Sequence, residues 1–128
     1  MTKIAIDTAR APRPIGPYSQ AIIAQGLFFS AGFAPHDPAT GSLAAGVGDQ
    51  TRQVLRNLSA VLAEQGATLD DCVKVTVHLQ NLKADFAEYN AAYAEFFTAP
   101  FPVRTTVGSD LLDILVEIDV VAVLPAKG

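Results

Sequence analysis

The chain has 128 residues, enough for one domain spanning 1–128 that buries a core without disulfide or metal support. Its 9 Lys and Arg stand against 13 Asp and Glu, a formal net charge of -4, which opposes general nucleic-acid binding because that needs a basic surface. Half of the residues are hydrophobic and only 17% are charged, a balance that predicts apolar surface covered by further copies of the chain.

Met1 to Asp7 lacks the apolar core of a signal peptide, and no apolar run is long enough to span a bilayer. Together with the single Cys72, which cannot close an internal disulfide, this places the expected location in the cytoplasm. Lys3 to Asp7 alternates as a short edge strand. Pro12, Pro14, Gly16 and Pro17 then make an ordered loop whose Ile15-Gly16-Pro17-Tyr18-Ser19-Gln20 presents Tyr18 in a defined direction, either to a ligand or into the core. Gln20 to Ala24 and Leu27 to Gly32 read as a hairpin about Gln25-Gly26. The small residues of Ser30-Ala31-Gly32-Phe33 leave room for a ligand or for neighbouring backbone. Pro35 to Gly41 is rich in turn residues, and His36 within it reads as solvated.

Asp49 is the expected N-cap of a helix whose Val54, Leu55, Leu58, Val61 and Leu62 form one apolar face, with Gly66 at its end. Asp70 and Asp71 read as a solvated turn, since no cluster of His or Glu supplies the remaining ligands of a metal site. Cys72 to Leu79 alternates as a strand. Cys72 and His78 share a face by parity but stand too far apart to touch. A second helix opens near Asp85, carries Phe86, Tyr89, Tyr93 and Phe96 as a core stripe, and ends near Ala99-Pro100, with Asn90 beside the stripe.

Two strands close the chain, Phe101 to Val107 and Leu115 to Val123, and each holds one charge in an apolar context: Arg104 and Glu117. The link from Gly108 to Ile114 is short enough for a hairpin that would bring the two together. A guanidinium suits bidentate capture of a carboxylate, and a carboxylate in a partly dry site can activate water, so the pair points to a pocket for a small acid. An ion pair within one sheet or across a subunit contact would use the same residues. The order β-β-β-α-β-α-β-β predicts an α+β domain with two helices on one face of a sheet, and apolar residues on both parities of the strands predict that the other face is covered by assembly.

The motifs, taken together, resemble the RidA family, also called YjgF or L-PSP. They are Ile15-Gly16-Pro17-Tyr18-Ser19-Gln20-Ala21, Ser30-Ala31-Gly32, the Pro-x-x-Pro-x-Thr-Gly form of Pro35 to Gly41, Val73 to Val77, Asn90 to Phe97, Phe101-Pro102-Val103-Arg104 and Val116-Glu117-Ile118. That resemblance implies a chorismate-mutase-like fold, a homotrimer with sites in the clefts between subunits, and hydrolysis of reactive enamines and imines such as 2-aminoacrylate to 2-keto acids and ammonia. It implies no metal or cofactor; that neither nucleic acid nor membrane is expected as a partner follows from the acidic charge and the lack of a spanning apolar run. Arg104 matches the residue that holds the substrate carboxylate, and Glu117 the acid that positions or activates water. Tyr18, Ser30, Gly32 and Asn90 match positions that shape the pocket. Thr106 stands where many members have a pocket Cys, Phe33 where Gln is usual, and the 108–114 link lacks the usual Leu-Pro and is about two residues short. Two rival classes remain: a trimer that captures small carboxylates without turnover, and the ribonuclease or translation-inhibitor activity by which relatives are labelled.

Overall fold

The computed structural model describes residues 2–126. Six strands, β1 (Ile4–Ile6), β2 (Ala21–Ala24), β3 (Leu27–Ser30), β4 (Cys72–Leu79), β5 (Val103–Gly108) and β6 (Val116–Val123), form one sheet. Two helices, α1 (Val47–Ala63) and α2 (Leu82–Ala94), complete an α+β fold. The sheet order is β1-β2-β3-β6-β4-β5, all antiparallel except the parallel pair β4 and β5.

Local chemistry accounts for most of these elements. Gln25 and Gly26 both take positive φ, 54° and 73°, as a two-residue hairpin turn requires, and this sets Ala24 opposite Leu27. Helix α1 begins at Val47 rather than at Asp49. Its N-cap, Gly46, offers no side chain, and the free Gly48 N–H donates instead to the Glu88 carboxylate of α2 at 2.7 Å. Asp49 falls in the first turn, where its charge complements the positive helix end. Val54, Leu55, Leu58, Val61 and Leu62 are fully buried against the sheet. Asp70 and Asp71 form a 3₁₀ turn over Leu69–Asp71 in which the Asp71 carboxylate accepts from the Thr68 N–H at 2.9 Å, so this carboxylate has a capping task. Among the described residues no cluster could hold a metal ion, and no helix is long and apolar enough to cross a membrane.

Helix α2 likewise opens at Leu82, three residues before Asp85, and two further expectations fail in the strands. A register shift between Cys72 and Lys74 breaks the alternation of β4, so Cys72 is buried on the helix side with Val75, Val77 and Leu79 while His78 lies on the opposite face. Parity counted along the sequence could not register that extra residue. Nor do β5 and β6 form a hairpin, because they flank β4 on opposite sides. Strand β6 buries Val116, Ile118, Val120 and Ala122 and takes a central place. The polar Arg104-Thr105-Thr106 segment of β5 takes the edge, where its outer backbone is left unpaired. The short link then crosses the end of β4, where the Ser109 N–H donates to the Leu79 carbonyl at 2.9 Å and the Leu111 N–H to Gln80 Oε1 at 2.7 Å.

Both helices lie on the face of Val75 and Ile118. The face away from them carries Lys74, Thr76, His78, Thr105, Glu117 and Asp119 beside the exposed Phe29, Val103 and Val107. It is a mixed surface.

Candidate active site

Arg104 is paired with Val75 and therefore points to the helix side of the sheet. There α2 presents three rings at helical spacing. The Arg104 Cζ stands 4.7 Å from the Tyr93 ring centroid, 5.5 Å from Tyr89 and 6.0 Å from Phe86, and its Nη1 donates to Asn90 Oδ1 at 2.8 Å. Ion pairs among the described residues join Arg13 to Asp7 and Arg52 to Asp49 and Glu95, and none involves Arg104. Arg104 is thus a cation without a carboxylate partner among the described residues. It opens on a hollow of about 320 Å³, rimmed by Phe101 and Pro102 and floored by Tyr93 and Phe97. Burial raises the pKa of both the Tyr89 and the Tyr93 hydroxyl, against the lowering influence of the Thr106 hydrogen bond on Tyr89 and of the Arg104 charge on both, so both remain neutral.

Glu117 is paired with His78 and points to the opposite face. Its carboxylate lies against Gly32, where a Cβ would stand 2.6 Å from Oε2. Only glycine leaves that space. A cavity of about 250 Å³ opens here, with Tyr18, Gly32, Leu112 and Glu117 on its walls. The proline-rich loop that forms one wall is held by the buried Gln20 amide, which accepts from the Thr8 N–H at 2.7 Å and donates to the Thr8, Ala11 and Pro12 carbonyls. Tyr18 is half-exposed, and its hydroxyl accepts from the Ile15 N–H at 3.2 Å.

Asn90 therefore stands with Arg104, and Tyr18 and Gly32 stand with Glu117. Ser30 and Thr106 have other work. The Ser30 hydroxyl accepts from the Val120 N–H at 2.9 Å and donates to the Ala31 carbonyl at 2.8 Å, extending the contact between β3 and β6, while Ala31 and Gly32 line the cavity. The Thr106 hydroxyl bonds the Tyr89 hydroxyl at 3.0 Å. Neither residue lines either cavity. Two titratable residues that line the same cavity as Glu117, Arg13 and His36, escaped the sequence reading as site residues. Arg13 sits between two prolines in the ordered loop, which was the available signal, whereas His36 looked like any solvated turn residue.

Arg104 and Glu117 occupy separate cavities on opposite faces of the sheet, with β4 between their strands. Within one chain the two cavities are separate. The Arg104 cavity offers charge and N–H donors for an anion, and the Glu117 cavity offers a carboxyl group beside space for a small molecule.

The chain matches the family model described as Endoribonuclease L-PSP over residues 8–124. It is 48% identical over 123 residues to a RutC family protein of Pyrococcus horikoshii, covering 94% of this chain and 97% of that protein. To the 2-iminobutanoate/2-iminopropanoate deaminase of Salmonella typhimurium it is 41% identical over 123 residues, covering 92% and 95%. Among solved structures, that of E. coli TdcF with bound serine is similar at a TM-score of 0.89 and 37% identity, covering 95% of this chain and 99% of that one. With the same fold over nearly its whole length and relatives well above 30% identity, this chain belongs to the RidA family, also called YjgF or L-PSP.

Proposed function

We propose that the chain is a deaminase that hydrolyses imines and enamines of the 2-aminoacrylate type to 2-keto acids and ammonia, at sites completed between copies of the chain in a homotrimer. The observation that carries this reading is the separation of two groups: an Arg104 without an acidic partner among the described residues on one face, and a Glu117 in a cavity on the other. A carboxylate clamp and a base are the two groups the proposed reaction uses, and in this reading a second copy brings one to the other. The exposed apolar rims, Phe101 at 67% beside Arg104 and Ile15 and Leu112 at 86% and 78% beside Glu117, are surfaces such a contact would cover.

In this reading Arg104 binds the substrate carboxylate through its remaining N–H donors, which sets the imine carbon against the Glu117 half of the neighbouring copy. Glu117 takes a proton from water as the oxygen bonds to the imine carbon. The proton held by Glu117 passes to the nitrogen to give a carbinolamine. The carbinolamine hydroxyl proton is then transferred through the same carboxylate to the nitrogen as the C–N bond breaks and C=O forms, which releases ammonia and the 2-keto acid. An enamine first tautomerises to its imine by moving the N–H proton to the β-carbon. Water is the sole co-reactant. Capture of small carboxylates without turnover would use the same free Arg104, and the 37% identical TdcF was solved with serine bound.

A dehydratase that generates the imine, coupled to detection of keto acid, tests the reading. Wild type should accelerate keto acid release, and Arg104→Ala and Glu117→Gln should each lose that acceleration. Co-refolded one to one, the two inactive variants should regain about a quarter of wild-type activity, because that fraction of sites pairs an intact Arg104 with an intact Glu117. No regain would place both groups in one chain's site. No acceleration by wild type would leave carboxylate capture as the activity.

A further inference from the structure

We propose that Tyr93 is a positioning residue for Arg104, its ring serving as the platform on which the guanidinium is held ready for a carboxylate; the proposal rests on the reading of Arg104 as the clamp. The sequence marks Tyr93 only as part of a core stripe. The structure gives one face of that stripe a second task, because the guanidinium sits over it.

A clamp must hold its cation still without spending what it needs for the ligand. A carboxylate partner would fix Arg104 but would neutralise it and occupy its N–H donors. An aromatic face attracts the cation through its quadrupole and takes no donor. Arg104 uses one Nη1–H on Asn90, and its Cζ lies 4.7 Å from the Tyr93 centroid, the shortest of its three ring distances. Charge and the other N–H groups stay available.

Tyr93 is itself immobilised. It is 7% exposed, stacks on Phe97 with centroids 4.4 Å apart and planes at 22°, and meets Tyr89 at 5.9 Å. The Tyr89 hydroxyl bonds Thr106, two residues along β5 on the same face as Arg104, and so fixes the spacing between helix and strand at this point. This gives Thr106 its function in the site, through Tyr89 rather than through the ligand. The Tyr93 hydroxyl is buried and has no hydrogen-bond partner among the described residues, so it is the ring, not the hydroxyl, that the arrangement uses.

The test reads carboxylate affinity directly, as the dissociation constant of pyruvate and 2-oxobutanoate, beside KM and kcat for the imine. Tyr93→Leu should weaken keto acid binding and raise KM by roughly tenfold with kcat little changed, the sign of lost uniform binding. Tyr93→Phe, which keeps the ring, should restore both. A series of fluorinated phenylalanines at position 93 weakens the ring quadrupole at almost constant size, so it avoids the packing defect that leucine risks, and affinity should fall stepwise along it. Affinity that stays flat across the series while Arg104→Ala abolishes binding would overturn the platform and leave the clamp standing. If Arg104→Ala itself binds keto acids normally, the clamp is elsewhere and both readings fall.

Discussion

Gly32 and Glu117 meet so closely that a methyl group at position 32 would stand 2.6 Å from the Glu117 Oε2 and 2.8 Å from its Cδ. Gly32 is not among the glycines with positive φ, so alanine fits the backbone there and the conflict falls entirely on the carboxylate. Gly32→Ala should fold with wild-type stability, since the displaced group is the end of a flexible side chain. On the proposed reading of Glu117 as the base, kcat should fall by roughly tenfold or more as its carboxylate is moved from its place, with KM less affected. Melting curves and steady-state kinetics on one preparation check this; unchanged kcat would separate Glu117 from the chemistry.

Gln20 bonds four backbone groups of the proline-rich loop from a side chain only 2% exposed. In Gln20→Ala the Thr8 N–H and the facing carbonyls lose their partner, a defect that costs about 3 kcal/mol. Thermal or denaturant unfolding should show this loss. Amide exchange should quicken first along residues 8–18, whereas Gln20→Glu should retain part of the anchoring at low pH, where its carboxyl can still donate.

Asp119 stands half-buried on the mixed face, and burial raises its pKa against the opposing pull of His78 and Lys74. A carboxyl with a higher pKa in the folded state favours folding while protonated, and that contribution is lost as pH rises through the raised value. Asp119→Asn should therefore melt a few degrees above wild type at pH 7. The difference should vanish as pH falls below the ordinary carboxylate value of about 3.9. Melting temperatures between pH 3 and pH 8 measure it, and equal melting at pH 7 would contradict the argument.

Cys72 is buried, and burial with the nearby Asp71 and Asp70 charges pushes its thiol pKa up to about 12. Thiolate is the reactive form, so at pH 8 the folded protein should react with a thiol reagent at least a hundredfold more slowly than the unfolded chain, roughly in line with its scarce thiolate and closed surroundings. Fast labelling of folded protein would show that the start of β4 opens locally.

Much of this protein is written in local sequence. The β-branched run of Cys72 to Leu79, the apolar face from Val54 to Leu62 and the Gln25-Gly26 turn each specify an element through residue type, side-chain period or backbone preference, and the structure has all three elements. Arg104 and Glu117 also stood out unaided, as charges in strands otherwise made for burial. What local signals could not carry was the placement of one strand against another. The hairpin expected between Phe101 and Val123 was reasonable from a short link, yet pairing is decided by total burial, which sets the apolar β6 in the middle and sends the polar β5 to the edge beyond β4. One extra residue between Cys72 and Lys74 likewise reversed a face that parity had assigned. The sequence by itself determined the elements, the family and the two charged residues, because these depend on residue type and near neighbours. Only the tertiary structure decided that those residues lie on opposite faces, that Ser30 and Thr106 serve backbone and helix rather than a cavity, and that Tyr93 lies under Arg104, because each is a contact between segments distant along the chain.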